Sequence, residues 1–100
     1  MDPQAGREQA GRRPALVLSP RAYNAKVGLA VVCPITSQVK GYPFEALIGP
    51  DAGVRGAVLS DQVRSVDWRV RRAELIATLP NDLVDEVLGK LGTLLTPDVD

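Results

Sequence analysis

Two apolar periods divide this chain. The first is short and β-like. Ala15-Leu16-Val17-Leu18-Ser19 is a continuous apolar run stopped by Pro20, and Gly28-Leu29-Ala30-Val31-Val32-Cys33 is another, β-branched and ended or edged by Pro34. Between them, 21–26 lacks periodicity and reads as one helical turn or a loop. Pro43-Phe44-Glu45-Ala46-Leu47-Ile48 alternates as a half-exposed strand does, and the turn Gly49-Pro50-Asp51-Ala52-Gly53 follows it. Gly56-Ala57-Val58-Leu59 leads into 60–68, where Val63, Val66 and Trp68 are the expected core contacts. The stretch 71–79 is expected to extend as a further strand.

The second period begins at Leu83. Val84, Val87, Leu88, Leu91, Leu94 and Leu95 fall on one face of a helix entered through Pro80-Asn81, with Asp82, Asp85 and Glu86 near its positive end and Lys90 towards the other. Several short strands followed by one amphipathic helix predict a mainly β, α+β fold: a small, strongly bent antiparallel sheet or barrel covered by the helix. With no repeat and no linker in 100 residues, 1–100 is expected to be one domain.

Charge changes this picture by giving the chain two ends. Net charge is zero, yet residues 1–72 carry eleven basic and six acidic side chains, against one and six in 73–100. A polyanion is therefore expected to meet the first part. The single cysteine, Cys33, lies in an apolar strand and reads as a small buried hydrophobe, and it excludes an intrachain disulfide. No apolar run reaches the length a bilayer requires, and the N-terminus has no signal-peptide character, so the expected compartment is the cytoplasm.

The absence of histidine removes most hydrolase chemistry. No Ser-His-Asp triad and no His-ligated zinc can be built, and no phosphate loop of the P-loop or dinucleotide type opens a helix. The carboxylates Asp2, Glu8, Glu45, Asp61 and Asp67 form no motif, although spacing leaves a carboxylate-metal nuclease open. What remains is arginine, hydroxyl and carboxamide chemistry. The stretch from Gly6 to Pro14 concentrates it: Arg7, Glu8, Gln9, Arg12 and Arg13 stand around two glycines, and Pro14 holds Arg13 out of the helical region. Such a tract reads either as a solvated turn or as a phosphodiester site, because an extended arginine offers a planar fork of donors. The polar segment Thr36-Ser37-Gln38-Val39-Lys40-Gly41 is the second candidate. RNA carries its own nucleophile, the 2′-hydroxyl, so its internal cleavage needs only positioning and stabilisation of a charged transition state.

Asp2-Pro3, Gly6 to Pro14, Ala15 to Pro20, Tyr23-Asn24, Cys33-Pro34-Ile35-Thr36, Lys40-Gly41-Tyr42-Pro43-Phe44-Glu45, Leu59-Ser60-Asp61-Gln62-Val63 and Asp67-Trp68-Arg69 together resemble the MazF/PemK family of toxin endoribonucleases. The match is collinear over nearly the whole chain. The resemblance implies an SH3-like, CcdB-like antiparallel barrel, a homodimer, and cofactor-free, metal-independent cleavage of single-stranded RNA at short motifs, inhibiting translation and growth. It also implies a MazE-like antitoxin whose acidic and apolar C-terminal segment occupies the RNA groove. Matched residue by residue, the catalytic arginine corresponds to Arg13 and the catalytic threonine to Thr36, while Glu8, Gln9, Arg12, Ser37, Gln38, Lys40 and Gln62 fall along the RNA-binding groove. Members open on an apolar, aromatic-bearing first strand ahead of the Asp-Pro. Here that strand is absent before Asp2-Pro3, which we read as a start placed too far downstream. Two other readings stay open at this point. One is a CcdB-like topoisomerase poison, disfavoured because Thr96-Pro97-Asp98-Val99-Asp100 has no aromatic; the other is an inactive RNA- or peptide-binding descendant.

Overall fold

The computed structural model describes residues 12–98. Its elements run β1 (Ala15–Val17), α1 (Arg21–Val27), β2 (Leu29–Thr36), β3 (Glu45–Leu47), β4 (Ala57–Leu59), β5 (Arg64–Asp67) and α2 (Asn81–Leu94). The five strands form one antiparallel sheet, α+β in class, which does not close into a complete barrel among the described residues.

β2 is the axis of the sheet. β1 lies along one of its edges, pairing Ala15 with Pro34 and Val17 with Val32. On the other edge β5 pairs with Leu29 to Val32, and β4 takes over at Ile35 and Thr36. The apolar run continues through Pro34 instead of ending there, and the register explains why a proline is tolerated. Pro34 falls in the gap between the last β5 partner and the first β4 partner, where its missing N–H leaves no ladder bond unmade.

The core lies where β2, β3 and β4 meet α2. Cys33, Ile35, Ala46, Val58, Leu83 and Val87 form it, and Leu16, Val63 and Leu79 pack around them. Of the residues expected around 60–68, Val63, Val66 and Trp68 are all half-buried, and of the three Val63 packs against the core. Trp68 covers α1: its indole N–H donates to the Asn24 carbonyl at 3.0 Å, and the Arg69 guanidinium, 5.0 Å from the indole ring, donates to the Ala25 carbonyl at 2.9 Å. The Asn24 carbonyl also accepts the Gly28 N–H at 3.0 Å, and the Arg69 bond gives the Ala25 carbonyl a partner near the helix end; 21–27 is thus a helix of two turns where the sequence predicted a single turn or loop. Gly28, at φ +82°, ends it.

Two other expectations are corrected. Residues 74–79 do not form a strand. None of their backbone groups pairs with another described backbone group, and an apolar cleft of about 710 Å3, floored by Leu16, Ile35 and Val54, separates them from β1. Extended propensity without a neighbour at ladder distance cannot make a sheet. The apolar face of α2 is also narrower than its sequence suggests. Leu83, Val87 and Leu91, spaced four apart, are buried, while Leu88 and Leu94, and Leu95 just past the helix end, are exposed. Val58 is wholly buried, and Val31 is half-buried.

Candidate RNA-cleavage site

Four residues singled out from the sequence line one recess of about 430 Å3: Thr36, Gln38, Lys40 and Gln62. Thr36 is the last residue of β2, and Ala57 of β4 is its partner on one side. On the other side the β1 ladder runs past its assigned end, since Ile35 N–H donates to the Pro14 carbonyl at 3.1 Å. The same register, continued by one residue, sets Arg13 level with Thr36. Two residues 23 apart in the chain are thus brought to neighbouring positions by a strand pairing that no local motif displays.

The hydroxyl of Thr36 is directed by its own loop. Gln38 N–H donates to Thr36 Oγ1 at 3.1 Å, a turn of the kind that Ser and Thr make with a residue two positions on. That bond occupies a lone pair and leaves the Thr36 O–H proton available to an external acceptor. Arg13 is exposed and makes no hydrogen bond or ion pair with any described residue, although it does not line the recess itself. A guanidinium and a hydroxyl carried by neighbouring strand ends supply the types of donor that suit the oxygens of a phosphate.

The other predicted residues divide. Ser37 is exposed on the same loop without lining the recess. Arg12 points elsewhere: its Nη2 donates to the Arg72 carbonyl at 3.2 Å and lies 3.7 Å from Glu74 Oε1. Glu8 and Gln9, with Arg7, lie outside the described residues.

Gly41, at the end of the polar segment picked from the sequence, also lines the recess, and its remaining walls are residues that sequence reasoning did not select: Tyr42, Glu45 and Leu59. The Tyr42 hydroxyl donates to Asp61 Oδ2 at 2.5 Å, and its ring stands 5.8 Å from that of Phe44. That bond, then desolvation and the charge of Asp61, raises the Tyr42 phenol above its ordinary range. Gly56 is a further missed residue. At φ +115°, its backbone lies against the Thr36 carbonyl, and the only hint in the sequence was one glycine among three in 49–56. Cys33 behaves as expected of a buried hydrophobe. Burial first, and the charge of Asp61 second, push its thiol up, away from the thiolate that nucleophilic chemistry needs. No three His, Cys, Asp or Glu side chains among the described residues come together as a metal site.

Residues 1–95 match the model of the PemK-like, MazF-like toxins of type II toxin-antitoxin systems. This chain belongs to that family. It is 43% identical over 94 residues to the endoribonuclease toxin MazF of Escherichia coli K12, an alignment covering 94% of this chain and 84% of that one. It is 38% identical over 101 residues to the E. coli endoribonuclease PemK, covering 96% and 75% respectively. Among solved structures it resembles MazF from Deinococcus radiodurans crystallised with MazE, at 60% identity and a TM-score of 0.83 over 84% of this chain and 85% of that one. The α+β architecture predicted from the apolar periods is therefore that of MazF-like toxins.

Proposed function

We propose that this protein is the toxin of a type II toxin–antitoxin pair and acts as an endoribonuclease on single-stranded RNA. The observation that carries the reading is the recess that Thr36 lines together with amide, ammonium and aromatic side chains; it is supported by the β1–β2 register, which, continued past Ala15 and Pro34, brings Arg13 opposite Thr36. Those walls suit unstacked bases, whose edges and faces are open in single-stranded RNA.

The reaction follows from the residues available. The RNA 2′-hydroxyl attacks the adjacent phosphorus, the bond to the 5′-oxygen breaks, and the products are a 2′,3′-cyclic phosphate and a 5′-hydroxyl. The Thr36 O–H, with its oxygen already engaged by Gln38, donates to a non-bridging phosphate oxygen. Arg13 neutralises the charge that builds on the phosphorane; a guanidinium is permanently protonated in water, so its role is electrostatic and not that of a base. Gln38, Lys40 and Gln62 hold the flanking nucleotides, with Ser37 and Arg12 outside the recess, and Glu8 and Gln9 are assigned to RNA binding by the family resemblance alone. No metal or organic cofactor takes part.

A MazE-like antitoxin is the expected partner, since the Deinococcus relative was crystallised with MazE. The protein acts as a homodimer in the cytoplasm, where its RNA is found; no helix among the described residues is long and apolar enough to cross a membrane.

The test is cleavage of RNA in excess EDTA. Wild-type protein cuts, and Arg13→Ala and Thr36→Ala each lower kcat by about 10²- to 10³-fold, the usual effect of deleting one donor to a developing oxyanion. Thr36→Ser, which keeps the hydroxyl, stays within about tenfold of wild type, whereas Thr36→Val, which keeps the shape, falls with the alanine variant. Cleavage that requires a divalent ion, or full activity in Arg13→Ala, overturns the mechanism. Mapping the 5′ ends of the fragments identifies the motif.

A further inference from the structure

The loop that carries Ser37, Gln38 and Lys40 has few contacts of its own to hold it: 37–43 is exposed throughout and has no regular structure. It is held from beneath by one carboxylate. Glu45, the first residue of β3, is only 7% exposed and is one of two buried polar or charged residues among those described. Its Oε1 accepts N–H groups from Lys40, Gly41 and Tyr42 at 3.2, 2.9 and 3.1 Å, and its Oε2 accepts from Lys40 at 3.1 Å. Three consecutive amides converge on one carboxylate because Gly41 takes φ +80°, which folds the backbone into a concave cradle of N–H donors. Such cradles ordinarily bind external anions, and this one is filled from within the chain.

Glu45 is in turn fixed by α2. Lys90 Nζ donates to the Glu45 and Pro43 carbonyls at 3.1 and 2.9 Å, and Glu86 lies 3.3 Å from the same ammonium. Other bonds at the loop's two ends complete the arrangement: Gln38 N–H to Thr36 Oγ1, and the Tyr42 hydroxyl to Asp61.

We infer that Glu45 is a positioning residue for RNA: by filling the amide cradle of 40–42 it orders the 37–42 loop before substrate arrives, so that binding does not have to supply the ordering. The inference rests on the endoribonuclease reading of the recess. Glu45 does not touch the reacting phosphate. The expected signature is therefore in substrate binding, because a loop that must be ordered on binding weakens association without altering the chemistry at Thr36.

Two variants separate this from general destabilisation. Glu45→Gln keeps the side-chain shape and one acceptor but places an amide NH2 against N–H donors. Gly41→Ala leaves Glu45 intact and meets no atom within 4 Å, so its only effect is on the left-handed backbone of the cradle. Both are expected to raise KM for a fluorescent RNA oligonucleotide spanning the mapped cleavage site by about tenfold, with kcat at saturation within about twofold of wild type. Backbone amide exchange at 40–42 should accelerate in both variants while that of β2 is unchanged. Folded variants with wild-type KM, or a kcat loss with KM unchanged, overturn the inference. If Glu45→Gln does not fold, Gly41→Ala decides alone. Failure of the wild-type protein to cleave RNA, or cleavage that is indifferent to Thr36, counts instead against the endoribonuclease reading.

Discussion

Gly56 and Thr36 are in backbone contact: a β-carbon built on Gly56 would stand 1.9 Å from the Thr36 carbonyl oxygen. Thr36 can therefore reach its place at the end of β2 only if residue 56 has no side chain. Its φ of +115° lies where other residues are strained as well. Gly56→Ala is expected to lower stability by about 3 kcal/mol, which for a domain of this size shifts Tm downward by more than ~10 °C. Cleavage should fall further than the folded fraction does, because the displaced atom belongs to Thr36. Thermal unfolding followed by assay below the new Tm separates the two effects, and an alanine variant with wild-type Tm contradicts the contact.

The bond between Tyr42 and Asp61 makes a pH prediction with a definite sign. Its phenol is held protonated in the fold, first by that hydrogen bond, then by desolvation and by the negative charge of Asp61. Stability from an acid kept protonated is intact below its unfolded value, about 10 for a phenol, and is lost as pH rises through the higher folded value. Wild-type protein should accordingly be more stable than Tyr42→Phe at about pH 8, and that advantage should shrink as pH climbs past the ordinary phenol range. Denaturant unfolding of both proteins across this range is the measurement. A constant difference would show that the hydrogen bond does not govern the titration.

Helix α2 offers a contrast between adjacent residues. Val87 is fully buried against the sheet and Leu88 is 46% exposed. Val87→Ala should cost about 2 kcal/mol through lost burial and an unfilled cavity, whereas Leu88→Ala should stay within about 0.5 kcal/mol in the monomer. Equal losses in urea unfolding at low protein concentration would mean that the helix presents a wider face to the core than its packing shows.

How far the sequence went differs between the sheet and the site. The strands were legible as runs such as Leu29 to Cys33, since β-branched apolar runs bounded by glycine and proline have few other places to go. Residues 74–79 misled, because the pattern reports local preference whereas a strand also requires a partner at ladder distance. The burial of Leu83 and exposure of Leu88 were equally hidden, as both satisfy the helical period and only tertiary packing separates them. At the site, Thr36, Gln38, Lys40 and Gln62 were selected from residue type and family motif and do share one recess. Glu45 and Gly56 were passed over, because each acts on the backbone of another loop and leaves no signal at its own position.

The sequence by itself determined the chemistry on offer: without histidine it excludes imidazole chemistry and concentrates arginine, hydroxyl and amide groups in two segments, and with apolar residues first in runs and then in a helical period it forms an α+β sheet with a covering helix. Only the tertiary structure decided which of those groups meet. Register along β2 sets Arg13 level with Thr36, a glycine without a β-carbon lets β2 and the approach to β4 close around Thr36, and a buried carboxylate shapes the loop beside it. Side-chain chemistry is carried residue by residue in the sequence, but juxtaposition is a property of chain segments distant from one another, and the pairing of strands is what supplies it.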